Sequence, residues 1–156
     1  MQLLAQEEYG LRCLLALARH AGPEPHTIHE VARAEGLSAD YAAKLLRELR
    51  RGGLVESTRG AAGGYRLARP AAEISVWDAI QVLGGALFPE AFCACHPGQR
   101  RDCVHQADCS IRSLWRLVDH TVRELLSGIS LADLERNEGQ MDVRLGAVHL
   151  PGARPC

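Results

Sequence analysis

The stretch SADYAAKLLRELRRGG, residues 38–53, decides the fold of this chain. Its apolar residues recur every three or four positions, which predicts a helix from Ala39 to Arg51 that Ser38 caps and Gly52-Gly53 ends. A helix of this size is roughly 20 Å long, enough to lie in the major groove of DNA. A merely solvated helical face is the alternative. The pattern places Tyr41, Leu45, Leu46 and Leu49 inside and Lys44, Arg47 and Arg51 outside.

The residues on either side of this helix complete the pattern of a winged helix-turn-helix. Upstream, Thr27 and Glu30 form a capping box for a short helix that ends at Gly36, and two helices joined by a tight glycine turn have the dimensions of a helix-turn-helix. Downstream, residues 54–55 and 65–67 are strand candidates, and the glycine-rich segment between them predicts a hairpin, or wing. A nucleotide-binding loop is disfavoured there, because the Walker spacing is absent.

Basic residues are concentrated in this same region. Between Lys44 and Arg69 the sequence has seven basic and two acidic residues, a local net charge of +5 in a chain whose formal net charge is -1. Such a patch attracts the phosphates of a nucleic acid whatever the total charge is. We expect Arg47, Arg50 and Arg51 to contact phosphates.

Helical periodicity continues outside this unit. It predicts a first helix from Gln6 to His20 and a capped helix from Val76 to Leu83. An apolar stripe then predicts a long amphipathic helix, followed by a short capped helix up to about Arg136. We expect the stripe to pair with the same helix of a second chain, the alternative being that it packs on its own core. The stripe consists of Ile111, Leu114, Trp115, Val118, Val122, Leu125, Leu126 and Ile129.

Together these elements predict a mainly α-helical fold, a winged helix-turn-helix with a small β-hairpin wing and a long C-terminal dimerisation helix. The chain divides into a DNA-binding domain over residues 1–84, a cysteine-rich loop over 85–109, a dimerisation helix with a short capping helix over 110–138, and a flexible tail over 139–156.

The sequence lacks the features of a membrane, secreted or catalytic protein. The short apolar run near Leu14 follows acidic residues rather than the basic stretch of a signal peptide, and no window reaches the roughly 18 apolar residues of a membrane span. We therefore expect a cytoplasmic protein with no membrane partner, whose cysteines stay reduced. No acid–base pair, nucleophile motif or phosphate loop is evident, so we expect no enzyme activity.

Four of the six cysteines crowd into residues 93–109, which is the strongest chemical signal in the chain. This segment has no helical period, and thiolates on such a loop can converge on a soft metal centre. Three kinds of site remain open: a structural zinc ion completed by His96 or His105, a thiol switch that closes a disulfide, and an iron–sulfur cluster. The four residues are Cys93, Cys95, Cys103 and Cys109.

Several short motifs occur together over roughly residues 1–135: Met1-Gln-Leu-Leu, Tyr9, Leu37-Ser38 with Tyr41, Leu54-Val55, Arg59-Gly60, Gly63-Gly64-Tyr65 and the spaced cysteines. In this combination they resemble the Rrf2 family of bacterial regulators, which includes IscR and NsrR. The resemblance implies a dimeric repressor or activator whose recognition helices, about 34 Å apart, read a pseudo-palindromic operator in double-stranded DNA. It also implies that Ser38, Tyr41 and Lys44 face the DNA and that Arg59 on the wing enters the minor groove.

The resemblance further implies that three loop cysteines hold an iron–sulfur cluster. The best match is Cys95, Cys103 and Cys109, with Cys93 as the alternative to Cys95. The IscR branch has a histidine three residues after its last cysteine, where this chain has Arg112, which cannot ligate a metal.

The expectation for the fourth ligand therefore comes from the other branch of the family. In NsrR-like regulators an acidic residue of the partner subunit completes the site, and Glu8 stands at the matching position. An acid in a first helical turn also has an ordinary electrostatic role, which is the alternative for Glu8. On this basis a [4Fe-4S] cluster is preferred over [2Fe-2S], and zinc is the alternative cofactor.

Two functional hypotheses follow. The first is a DNA-binding transcriptional regulator, expected to be a repressor, that senses iron–sulfur status, nitric oxide or redox state through the loop cysteines. The second is a zinc-stabilised or thiol-switch interaction module in which the winged helix binds a protein instead of DNA.

Overall fold

The computed structural model describes residues 3–20, 24–60, 63–85, 88–89 and 92–146. These ranges are mainly helical with one antiparallel hairpin, which confirms the predicted fold class. None of the described helices is long and apolar enough to cross a membrane. In chain order the elements are α1 (Ala5–Ala18), α2 (Ile28–Glu35), α3 (Ala39–Arg51), β1 (Val55–Thr58), β2 (Gly64–Leu67), a 3-10 turn (Ala71–Glu73), α4 (Val76–Leu83), α5 (Phe92–Cys95), α6 (Ser110–Ser127), α7 (Leu131–Leu134) and α8 (Glu138–Arg144).

Local capping interactions fix the helix-turn-helix. Thr27 N donates to Glu30 Oε2 at 2.8 Å, and Glu30 N donates back to Thr27 Oγ1 at 3.2 Å, so the predicted capping box of α2 is confirmed. Gly36 ends α2 with a φ of 65°, a left-handed conformation that glycine adopts without strain. Ser38 Oγ accepts from Tyr41 N at 3.2 Å and starts α3 at the predicted residue.

The wing is a two-stranded hairpin anchored to the body of the protein. Strand β1 pairs antiparallel with β2, and Thr58 lies opposite Gly64. His26, in the segment that leads into α2, exchanges backbone hydrogen bonds with Tyr65 at 2.8 and 2.7 Å. The backbones come so close that a Cβ on Gly64 would lie 2.4 Å from the His26 carbonyl oxygen. Leu54, predicted to open the first strand, is instead a buried residue just before it.

The main core forms where α1, α2, α3, the wing base and α7 meet. Burying a leucine or isoleucine of this kind stabilises a fold by roughly 1.5–3 kcal/mol relative to leaving it exposed. Three leucines of α3 contribute, so the core holds that helix by one face. The largest fully buried side chains are Leu14, Val31, Leu45, Leu46, Leu49, Val55, Ile74 and Leu131.

Helix α6 is amphipathic but only part of its apolar stripe is covered. In its C-terminal half, Val122 and Leu126 pack against a second apolar cluster built mainly by α4. In its N-terminal half, Ile111, Leu114 and Trp115 are 59%, 53% and 45% exposed. Along its 18 residues, α6 has no buried side chain.

Two segments differ from the sequence-based expectation. The predicted cysteine-rich loop, residues 85–109, contains the short helix α5, and most of α8 lies in the predicted flexible tail, residues 139–156. Helix α8 forms because Asn137 and Gln140 make a capping box and Met141 packs against the second apolar cluster. The tail beyond Gly146, including Cys156, lies outside the described residues.

The close approach of Gly64 to His26 gives a stability prediction. Gly64→Ala should lower the free energy of unfolding by about 1–3 kcal/mol, because backbone atoms rather than a flexible side chain oppose the new methyl group. Chemical denaturation measures this. In the control Gly139→Ala the new Cβ meets only Asn137 Oδ1 at 3.8 Å, so stability should stay or rise by about 0.5–1 kcal/mol. An equal response of the two variants would contradict the predicted clash.

Candidate nucleic-acid interface and cysteine pocket

A groove of about 530 Å³ separates the helix-turn-helix from the wing. One wall is the start of α2 and the inner edge of α3, and the other is the hairpin. Its lining combines two arginines, Arg50 and Arg59, with polar and small residues and one acidic residue, Asp40. The lining consists of Thr27, Ile28, His29, Ala39, Asp40, Ala43, Arg50, Ser57, Thr58, Arg59, Gly60, Gly63, Gly64 and Tyr65.

The exposed face of α3 adjoins this groove. An α-helix turns by about 100° per residue, so the side chains opposite the buried Ala42, Leu45, Leu46 and Leu49 belong to another set of positions. Lys44, Arg47 and Arg51 occupy that outward face and are exposed, as the sequence pattern predicted. Arg51 is paired with Glu48 on the same helix.

Two arginines connect this face to the wing. Arg50 Nη1 donates to Ser57 Oγ at 3.1 Å, which joins α3 to β1 across the groove. Arg59 is exposed at the end of β1, and both arginines line the groove. Guanidinium groups in such positions can meet successive phosphates along a nucleic-acid backbone.

Ser38 and Tyr41 have structural contacts of their own. Ser38 Oγ accepts from Tyr41 N as the cap of α3, which leaves its hydroxyl proton available for a further bond. The Tyr41 ring is half-buried and packs edge-to-face on Tyr9 at 5.9 Å. Neither residue lines the groove, so any contact with DNA is made outside it.

Sequence analysis missed several residues that line the groove. Thr27 caps α2 and His29 lies in its first turn, and Ala39 and Ala43 lie one helical turn apart on α3. Asp40 is a fifth. The available signal was the rotation of α3, because Ala39, Ala43 and Arg50 fall within about 40° of one another around a helix axis.

The loop cysteines line a second pocket, of about 310 Å³. It brings together Cys93, Cys103 and Cys109, whereas Cys95 is exposed and does not line it. The other described residues around the pocket include two basic side chains, Arg101 and Arg112, which can offset the negative charge of thiolates.

Cys109 has a defined role in the local structure. It is the N-cap residue of α6, and its Sγ accepts from Arg112 N at 3.4 Å. The Arg112 side chain donates to the Gln106 carbonyl at 3.1 Å and so ties the loop back onto the helix. A helix N terminus carries a partial positive charge that favours an anionic ligand. Cys109 therefore stands where the fold itself stabilises added negative charge.

The donor set of the cysteine pocket consists of the three thiols of Cys93, Cys103 and Cys109. Among the described residues, no three histidine, cysteine or acidic side chains are grouped closely enough to hold one metal ion. Thiolates that bind different irons of one cluster do not have to converge on a single point, and three of them surround this pocket. The residues present therefore fit an iron–sulfur cluster.

The remaining candidate ligands lie elsewhere. Glu8 is exposed on the first turns of α1 and does not line the cysteine pocket of its own chain. Its neighbour Glu7 is buried, and its Oε2 accepts from Leu4 N at 2.7 Å. Cys13 is fully buried in the main core, and burial raises the pKa of its thiol to about 12.

Known proteins resemble the chain over most of its length. The Rrf2 family, described as an iron-dependent transcriptional regulator, matches residues 3–137. The protein rrf2 of Nitratidesulfovibrio vulgaris is 36% identical over 137 residues, which cover 88% of this chain and 89% of that protein. The HTH-type transcriptional regulator IscR of Photorhabdus laumondii is 32% identical, covering 92% of this chain and 84% of its own.

Solved structures show the same similarity. The global cysteine regulator CymR of B. subtilis superposes with a TM-score of 0.68 at 30% identity, covering 86% of this chain and 96% of that chain. T. potens IscR gives a TM-score of 0.66 at 35% identity, covering 86% and 85%.

The histidine that anchors the wing gives a pH prediction. His26 Nδ1 is buried and lies 3.7 Å from Glu30 Oε2, and the His20 ring meets the His26 ring edge-on with 3.9 Å between their centroids. Burial lowers the pKa of His26 below its ordinary 6.5. The unfolded chain thus binds a proton more readily than the folded one, so stability is full above pH 6.5 and falls as the pH drops below it.

This prediction is checked by urea unfolding between pH 7.5 and pH 5. His26→Gln should flatten the fall in stability, whereas the control His29→Gln removes an exposed histidine of α2. Equal flattening by the two variants would show that burial of His26 is not the cause.

Proposed function

The chain belongs to the Rrf2 family and is therefore a transcriptional regulator and not an enzyme, and on that premise we propose that it is a homodimeric winged-helix repressor controlled by an iron–sulfur cluster. DNA binding belongs to α3 and the wing. Cofactor binding belongs to the loop between α4 and α6. The observation that carries the proposal is that one chain of this family combines an exposed basic α3 face with a pocket lined by three cysteines.

The DNA-binding part of the proposal rests on the charge and shape of the α3 surface. Helix α3 enters the major groove with Ser38, Tyr41 and Lys44 towards the bases. Arg47 and Arg51 meet phosphates beside it. The wing follows the backbone with Arg50 held by Ser57, and Arg59 enters the minor groove, where the negative potential favours a guanidinium.

The homodimer accounts for the uncovered half of the α6 stripe. Exposed apolar side chains at Ile111, Leu114 and Trp115 would leave water on association with the same helix of a second copy. Two copies related by a two-fold axis present two recognition helices, which suits a pseudo-palindromic operator with half-sites about 34 Å apart.

The cofactor part rests on the cysteine pocket. We propose Cys93, Cys103 and Cys109 as the ligands of this chain, because they line the pocket while Cys95, the better match by family resemblance, points outside it. Glu8 of the second copy is the proposed fourth ligand, and [4Fe-4S] the proposed cluster type. When bound, such a cluster supplies a centre that reacts with oxidants and nitric oxide.

The chain's own contacts explain how the loop can influence DNA binding. Gln6 Nε2 donates to the Leu83 carbonyl, so the first turn of α1 is tied to the end of α4, where the loop begins. At the other side, Phe88 N donates to Asp119 Oδ1 of α6 at 3.3 Å. The loop is therefore attached to α4 at one end and contacts α6 through Asp119, so a change in the loop can act on the packing of α4 against α6.

A measurement of operator affinity tests the DNA-binding part of the proposal. Arg59→Ala should weaken binding to the operator by about 1–3 kcal/mol, measured by fluorescence anisotropy on duplexes selected from genomic fragments. Its control is Arg116→Ala, which removes the same charge from the polar face of α6. Wild-type protein that does not distinguish any selected fragment from random duplex would contradict DNA-binding regulation and favour the protein-interaction alternative.

Anaerobic purification tests the cofactor-binding part of the proposal. Wild-type protein should be brown and contain iron and sulfide, and Cys93→Ala, Cys103→Ala and Cys109→Ala should each abolish the visible absorbance. Cys95→Ala is the matched control on the same short helix and should keep it. Colour lost with Cys95→Ala but kept with Cys93→Ala would reverse the ligand assignment. A colourless wild type with stoichiometric zinc would replace the cluster by a structural zinc site.

A further inference from the structure

One acidic side chain stands among the basic and neutral residues of the groove. Of the described residues that line it, Asp40 alone is acidic, and it shares the lining with Arg50 and Arg59. Asp40 is exposed, and within the described part of the chain it makes no ion pair or side-chain hydrogen bond, not even with Lys44 one turn further along α3. Its carboxylate is thus free to meet whatever occupies the groove.

Asp40 occupies a position from which recognition helices generally contact DNA bases. It is the second residue of α3, in the turn whose side chains reach base edges when a recognition helix enters the major groove. Around the helix it lies about 20° from Arg47 and almost opposite the buried leucines. Its groove-lining neighbours Ala39 and Ala43 end at Cβ, so Asp40 is the group on this turn that can form hydrogen bonds in the groove.

A purely local role does not account for this placement on a DNA-binding face. An acid in the first helical turn stabilises a helix by roughly 0.3–1 kcal/mol. Against that, a carboxylate beside a phosphate backbone is repelled, and its desolvation costs binding free energy unless a donor replaces the lost water. The two acids of the neighbouring basic segment, Glu48 and Glu56, are paired with arginines of the same chain, whereas Asp40 has no such partner among the described residues. Next to DNA, its carboxylate is therefore favourable where it accepts a hydrogen bond from the DNA.

From this we infer that Asp40 determines sequence specificity by accepting a hydrogen bond from the N4 amino group of a cytosine in each operator half-site. The inference rests on the proposed DNA-binding function. A carboxylate only accepts, so it is repelled by guanine O6 and N7 and by thymine O4, and adenine presents its N7 acceptor beside its amino group. Cytosine offers a donor with no neighbouring acceptor on its major-groove edge. The same charge weakens binding to unrelated DNA, which raises the ratio between operator and random sites.

The test is selection from randomised duplexes with the full-length dimer, followed by affinity measurement on single-base variants of the selected site. Wild-type protein should select a cytosine at one position of each half-site and prefer it by roughly ten-fold or more over the other bases. Asp40→Asn should move that preference to adenine, because an amide pairs with adenine N6 and N7. Asp40→Ala should remove it and bind random duplex several-fold more tightly than wild type.

Asp142→Asn is the matched control, since it makes the same chemical change on an exposed residue of α8 and should leave the selected sequence unchanged. A role for Asp40 in helix stability alone would weaken operator and random DNA alike and leave the base preference in place. Asp40→Asn protein that still selects the wild-type sequence would overturn the inference while leaving DNA binding intact. Wild-type protein that selects no sequence would overturn the proposed function itself.

Discussion

The rotation of α3 about its own axis is the constraint on which the rest of the structure depends. Leu45, Leu46 and Leu49 are buried with Ala42 in the main core. Turning the helix by one residue would expose part of this set, at roughly 1.5–3 kcal/mol for each leucine lost. Because the charges on α3 are fixed relative to its leucines, the same burial that stabilises the fold also aims Lys44 and Arg47 at solvent. Stability and the exposure of the basic α3 face are set by one interaction.

The wing is a second rigid element fixed relative to α3. Tyr65 of β2 exchanges backbone hydrogen bonds with His26, and Ser57 of β1 accepts a hydrogen bond from the Arg50 side chain. Both contacts join the hairpin to the body of the protein, so the position of the wing relative to α3 is set by that body. A pre-formed groove loses little conformational freedom on binding, which favours affinity.

The fold was predictable where short-range signals dominate. Helices α2, α3 and α4 begin at the predicted residues because Thr27, Ser38 and Ser75 cap them through bonds three residues away. Helix α8 has the same kind of cap at Asn137, but scattered charges and Gly139 hid it, and packing of Met141 helps to hold it.

The site was predictable only in part. The exposed arginines followed from periodicity, but the contribution of α2 to the groove depends on the packing of the wing against His26, which no local pattern encodes. Cys93 and Cys95 are two residues apart and thus about 200° apart on a helix. Which of them lines the pocket depends on the face that α5 turns towards its neighbours, and the stacking of Phe92 on His96 at 4.2 Å orders that short segment.

Helix α6 joins the two proposed activities through its first turn. Cys109 caps the helix, and the uncovered stripe begins two residues later at Ile111. Cys93, Cys103 and Cys109 also border a smaller apolar cavity of about 170 Å³ with Ile111 and Trp115. The three thiols are therefore close to Ile111 and Trp115, the apolar residues on which a second copy would pack under the proposed function. On the proposed function, cofactor state and dimer geometry are coupled because their residues line the same cavity, and no long-range pathway through the core is required.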